Sequence, residues 1–142
     1  LDVLRQVGDV EQKAISANKG AVVKRLGDGA MAVFGDAEQA VFAALDAQKG
    51  ISEIDVGGYR PTQRAGVHRG TPRKVKGDFL GVDVNIAARV GDSAAGGEVL
   101  ISQPVREELD GRRFKFGASR ELDAPGAPTD LTVCSVRSRG RR

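Results

Sequence analysis

The sequence predicts an α+β fold, a mostly antiparallel sheet with helices packed on one face. Three observations carry that prediction. Short strand-like runs bounded by Gly, Asp and Pro alternate with stretches whose apolar residues recur every three or four positions. The alternation keeps no strict βαβ period, which favours α+β over a parallel, doubly wound sheet. The chain has 142 residues, 40% of them apolar, and no internal repeat. That length fits one domain and buries roughly 70% of the unfolded surface, enough for a real core.

The elements follow in order. Leu1, Leu4, Val7, Val10, Ala14 and Ala17 lie on one helical face, with Asn18 and Gly20 as αL-tolerant residues past the last turn. Ala21 to Leu26 and Ala30 to Phe34 read as two strands around a Gly27-Asp28-Gly29 turn, a β-hairpin. Asp36 caps a helix to about Lys49. Gly57, Gly58 and Pro61 mark a loop, Arg64 to Gly70 a strand, and Thr71 to Gly77 a basic polar loop. Gly81 to Val90 is helical, with Val84, Ala87 and Ala88 as its apolar stripe and Gly91 and the following AAGG run as its stop. Glu98 to Ser102 is a strand, and Ser102 caps a helix over Pro104 to Leu109. Arg113 to Leu122 and Asp130 to Val136 are the last strands, joined by a turn-rich APGAPT.

Composition excludes several classes. No apolar stretch approaches the ~20 residues of a membrane span, and no secretory h-region opens the chain. A single cysteine, Cys134, forms no internal disulfide, which points to a reducing, cytoplasmic compartment. With one histidine, His68, a structural zinc site has no ligand set. The net charge of +3 owes four arginines to residues 137–142, read as a solvated, disordered tail. The sheet lacks the aromatic pattern of an RNA-binding ferredoxin-like domain, so no nucleic-acid partner is expected.

Two segments carry candidate chemistry. In Lys24-x-x-Gly27-Asp28-Gly29 a carboxylate sits at a glycine-flanked hairpin tip, where backbone approaches a ligand closely. Hard cations such as Mg²⁺ take one or two carboxylates plus substrate phosphates, which makes Asp28 a candidate metal ligand; the same triplet is also an ordinary tight turn. In Gly77-Asp78-Phe79-Leu80-Gly81 and the helix after it, Asn85 and Arg89 are four apart and share a face. An amide beside a guanidinium fork suits a ribose and its phosphates, and Asp78 precedes the helix where a carboxylate accepts from a base amine. A plain exposed polar face with an acid near the helix N-terminus is the other reading of this segment.

Taken together, KRLGDGAMAVF, an Ala-rich helix, RAGVHRG, GDFLGVDVNIAARV and GEVLIS resemble the class III adenylate/guanylate cyclase homology domain in its compact bacterial form, over residues 10–136. The resemblance implies a ferredoxin-like sheet, Mg²⁺ or Mn²⁺, ATP as substrate, and a homodimer whose active sites are shared. It makes Asp28 a metal ligand from one subunit. From the other subunit come Lys24 and Asp78, which read the purine, Asn85, which orients the ribose, and Arg89, which stabilises phosphate charge. A lysine donor with a carboxylate acceptor matches adenine, whereas guanine presents the reverse polarity. The implied activity is therefore adenylate cyclase, a phosphorus–oxygen lyase. The alternative is a catalytically weak, nucleotide-binding or dimerising module with a regulatory role. Two departures from the family pattern stand out. No F-x-D segment precedes the first helix, so the resemblance implies an N-terminally incomplete domain over residues 1–136, without the family's first strand and its metal aspartate. The Leu122-Asp123-Ala124-Pro125-Gly126 stretch lacks the family's phosphate-binding lysine; Arg120 and Lys115 are candidates to replace it, and the sequence does not assign either. His68 in Gly66-Val67-His68-Arg69-Gly70 is expected to pack a strand rather than to take part in catalysis.

Overall fold

The computed structural model describes residues 2–26, 29–70, 73–75, 78–122 and 131–140, with the side chains of residues 2, 26, 73–75 and 78–80 excepted. The chain forms two compact units, residues 1–63 and 64–142.

In the first unit, helix α1 (Asp2–Ala17) leads to strands β1 (Ala21–Leu26) and β2 (Gly29–Val33), then helix α2 (Ala37–Ser52). The expected first helix and hairpin are both present. The left-handed residue after α1 is Lys19 (φ 65°), not Asn18 or Gly20. Gly20 serves a different end: a Cβ there would stand 2.7 Å from Phe34 Cδ2. β1 and β2 pair antiparallel, with Leu26 opposite Gly29 and one extra residue between Val22 and Lys24. Such a bulge turns the following side chains to the other face of the strand, and Lys24 is the first residue it redirects. Asp36 caps α2 as expected, its Oδ1 accepting from Gln39 N at 2.7 Å. Ala14, Ile15, Val41, Phe42, Ala47 and Ile51 are buried where the helices meet. Gly50 permits that approach, since its Cβ would fall 2.6 Å from Val10 Cγ1.

In the second unit, β3 (Ala65–Val67) is followed by a hairpin of β4 (Arg73–Val75) and β5 (Asp78–Leu80), then α3 (Val82–Ser93), β6 (Val99–Ser102), α4 (Gln103–Arg106), β7 (Phe114–Phe116), β8 (Arg120–Glu121) and β9 (Thr132–Ser138). The sheet order is β3-β6-β9-β7, with β8 also on β9. β3 and β6 are parallel, joined by the crossover that contains α3; the other pairings are antiparallel. The fold is α+β.

Four expectations need correction. The basic loop after residue 70 contains β4, which pairs with β5. α3 does not stop at Gly91 but continues to Ser93, so its buried stripe is Ile86, Val90 and the following Ala94, while Ala88 is exposed. These three are spaced by four and pack with Leu100, Leu122 and Val133. The single strand expected over residues 113–122 is two, because the five residues Phe116 to Arg120 oppose the four from Val136 to Val133, the extra residue breaking the ladder. The tail begins later than residue 137: Arg137 and Ser138 lie in β9, and Arg139 N donates to Arg113 O at 2.8 Å.

Candidate active site

Helix α3 carries two of the side chains expected at the site, Asn85 and Arg89. It starts at Gly81, whose φ of 132° belongs to the region that L side chains avoid. The N-cap offers no side-chain hydrogen bond. At 100° per residue, Asn85, Arg89 and Asp92 fall on one side of the helix, roughly 130° round from the stripe of Ile86, Val90 and Ala94. Burial agrees: Asn85 and Arg89 are exposed while Ile86 and Val90 are buried. The expected pair is therefore together, one turn apart, on a face turned away from the core.

Arg89 Nη2 lies 3.5 Å from Asp92 Oδ2, a pair whose side chains are 44% and 65% exposed. Exposed pairs of this kind contribute about 0–1 kcal/mol, so the guanidinium is readily given up to a more highly charged anion. Asp78 opens β5 opposite Val75, three residues before Gly81. Its backbone leads directly into α3; its side chain lies outside the described residues. Lys24 is on β1 of the first unit, half-buried and opposite Met31. Asp28, the metal candidate, lies outside the described residues. Among the described residues no group of three or more His, Cys, Asp or Glu gathers to hold a metal ion. The described side chains thus supply no metal cage of their own, and a metal reading rests on Asp28.

Behind α3 the sequence reading missed an arrangement. Residues 66, 68 and 70 alternate with their neighbours and all meet α3. A Cβ on Gly66 would lie 2.6 Å from Gly91 Cα and 2.8 Å from Val90 C, and one on Gly70 would collide with the Asp83 carboxylate. Gly66 to Gly70 spans roughly 13 Å of extended chain, and Asp83 to Gly91 about 12 Å of helix. The segment and the helix therefore lie side by side in opposite directions, in a register that both glycines fix. Between them stands His68, its side chain 5% exposed, with Nε2 3.0 Å from Asp83 Oδ1. Its Nδ1 is 2.7 Å from Ser102 Oγ. Ser102 was expected to cap a helix through Leu109. It does occupy the N-cap of α4, but its hydroxyl makes no cap hydrogen bond, and α4 ends at Arg106. The legible signal was the period of two in Gly-x-His-x-Gly, which puts three residues on one face.

Arg120, one of the two candidates to replace the family's phosphate-binding lysine, pairs with a carboxylate. Its Nη2 and Nη1 lie 3.1 and 3.4 Å from the two Glu98 carboxylate oxygens. Burial alone raises the Glu98 pKa; hydrogen bonds from Arg120 and from the Ala95 N–H outweigh it, and the carboxyl sits below its ordinary value of 4.5. In the first unit a cleft of about 440 Å³ runs between α1 and the hairpin, lined among others by Leu4, Arg5, Asp9 and Gln12. At its base Glu11, 4% exposed, accepts from Arg25 Nη1 at 2.8 Å and from Gln63 Nε2 at 2.5 Å. Lys24 does not line that cleft. None of the described helices is long and apolar enough to cross a membrane.

Known proteins bear on these features. An adenylate/guanylate cyclase/hydrolase from Silicibacter pomeroyi superposes with a TM-score of 0.74 at 26% identity, over 89% of this chain and 76% of its own. The guanylyl cyclase Cya2 superposes with a TM-score of 0.81 at 21% identity, over 98% of this chain and 79% of its own. In sequence, a pH-sensitive adenylate cyclase of Mycobacterium tuberculosis is 34% identical over 121 residues, 81% of this chain and 29% of the relative. An uncharacterized protein of the same species is 33% identical over 111 residues, 76% of this chain and 28% of the relative. The chain thus spans less than a third of the length of these curated relatives. No protein-family model matches it. The fold is that of a nucleotide cyclase domain. With its Asn85/Arg89 helix and its sequence relatives, the chain belongs to the class III adenylate/guanylate cyclase domains.

Proposed function

We propose that this domain is an adenylate cyclase, converting ATP to 3′,5′-cyclic AMP and pyrophosphate at a site shared between two subunits. The observation that carries the reading is the exposed Asn85/Arg89 pair on α3 in a chain of this family. The ribose 3′-oxygen attacks the α-phosphorus, a P–O bond forms as the bond to pyrophosphate breaks, and the 3′-hydroxyl proton is lost. Phosphoryl transfers of this kind depend on positioning and on charge stabilisation. Asn85 has the donor and acceptor to orient the ribose. Arg89 exchanges its weak contact with Asp92 for the phosphate oxygens.

Substrate choice rests on Lys24 and Asp78. A lysine donates to adenine N1 and a carboxylate accepts from the adenine amine. Guanine presents a ring N–H and a carbonyl there, leaving two polar groups mismatched at about 1–3 kcal/mol each. Asp28, with triphosphate oxygens, is the donor set that Mg²⁺ or Mn²⁺ takes. The metal would supply neutralisation of the triphosphate charge. The test is cyclic nucleotide production from ATP and from GTP with Mn²⁺. Cyclic AMP in clear excess is expected, with near-complete loss in Asp28→Ala. Equal use of GTP overturns the adenine reading, unchanged activity of Asp28→Ala overturns the metal assignment, and no product from either nucleotide favours the regulatory module.

A further inference from the structure

We propose that His68 is a positioning residue for the reaction, tying the first turn of α3 to the sheet so that Asn85 and Arg89 are held in place. The proposal rests on the cyclase reading for its catalytic consequence, but the tie itself stands on geometry.

An ionised Asp83 can only accept, so the proton between it and His68 sits on Nε2, which donates. In the neutral ring Nδ1 is then the acceptor, and Ser102 Oγ donates to it. The chain of donors runs from Ser102, fully buried at the end of β6, through His68 to Asp83 in the first turn of α3. Serine, histidine and aspartate in this order resemble a hydrolytic triad. A Ser102 with 0% exposure cannot meet a substrate, which leaves a structural tie as the use of the chain.

The tie falls in the first turn of the helix, at Asp83. The N-cap, Gly81, has no side chain to cap with, and Val82 after it is 69% exposed. Ile86 and Val90 fix the middle of α3 by packing, but they lie further along the helix. Gly70 keeps the space beside Asp83 open, since any side chain there would displace the carboxylate. Asn85 is two residues from Asp83 and Arg89 is six, so loosening the first turn swings the amide first. Misplacements on the order of 1 Å cost a positioned reaction about 100-fold.

The experiment uses the native protein with Mn²⁺-ATP and four variants, with hydrogen exchange of the α3 amides measured alongside turnover. His68→Phe keeps the ring volume and removes both hydrogen bonds; kcat should fall at least tenfold with KM within about threefold. His68→Gln, whose amide offers one donor and one acceptor, should recover most of that loss. Asp83→Ala should lower kcat similarly, and the double variant His68→Phe/Asp83→Ala should be no worse than either, because the two belong to one chain. Exchange at Asn85 to Arg89 should quicken at least tenfold in His68→Phe, with β6 and β9 unchanged. Additive losses, no rescue by glutamine, or unaltered α3 exchange overturn the proposal. A wild-type protein that makes no cyclic nucleotide overturns the cyclase reading instead, and the exchange measurement still decides the tie. If His68→Phe fails to fold, Ser102→Ala serves in its place, with the same selective quickening expected in α3 and its absence counting against the tie.

Discussion

At Gly66 the absence of a side chain lets an extended segment lie against the backbone of a helix. The atoms a Cβ would meet, Gly91 Cα at 2.6 Å and Val90 C at 2.8 Å, are main chain and cannot turn aside. Gly66→Ala should therefore destabilise the protein by about 1–3 kcal/mol, as overpacking does. Gly111 makes the control: a Cβ there meets nothing within 4 Å, and its φ is not positive. Gly111→Ala should be neutral or stabilising by up to ~1 kcal/mol, since it narrows the unfolded ensemble. Urea midpoints of the two variants check the contrast. Cys134 allows a second test at this scale. Burial pushes its thiol pKa up, against the opposing pull of Arg106 and Arg120. Thiolate is the reactive form, so iodoacetamide should label Cys134 only at the rate at which the protein opens, and at once in denaturant. Fast labelling of the folded protein would show that β9 is not closed around it.

The elements that were legible in the sequence are those set by local rules. Asp36 caps α2 because an aspartate before an apolar helical stripe meets the first free amides, and Gln39 N is where it does so. The β1–β2 hairpin and α1 were likewise written in short-range pattern. What was not legible depends on partners distant in sequence. α3 passes through Gly91, where the backbone of Gly66 lies against it, although a glycine within a helix costs about 1 kcal/mol. Ser102 looked like a helix cap, yet its hydroxyl turns to His68, 34 residues away. The Asn85/Arg89 face followed from helical period alone, whereas the chain behind it required the fold. The Arg120–Glu98 pair joins β8 to the segment before β6 in the same long-range way and has a consequence for acid stability. A carboxyl whose folded pKa lies below 4.5 contributes stability in full above the unfolded value and loses it as pH falls through the folded one. Wild type should lose stability on acidification below about pH 4.5 more steeply than Glu98→Gln does. The difference in unfolding midpoint between the two should be larger at pH 7 than at pH 3. An equal difference at both would show that the carboxylate charge contributes nothing.

For the whole molecule, the testable part of the proposal is the sharing of each active site between two subunits. Lys24 and Asp28 belong to residues 1–63, and Asp78, Asn85 and Arg89 to residues 64–142. If each site of a homodimer takes Asp28 from one subunit and Asn85 from the other, a variant of either residue alone has two damaged sites. In a heterodimer of Asp28→Ala with Asn85→Ala, one site collects both substitutions while the other is wholly native. Equal mixing makes about half of all dimers mixed, each with one good site of two, so about a quarter of wild-type activity should return. Each variant by itself stays near background. The measurement is cyclic AMP production after co-refolding differently tagged chains, with mixed dimers isolated by sequential affinity steps to show that they form. Isolated mixed dimers should then reach about half of wild-type activity per dimer. Mixed dimers as inactive as either parent would mean that each subunit completes its own site, and the sharing would have to be abandoned even if the cyclase activity stood.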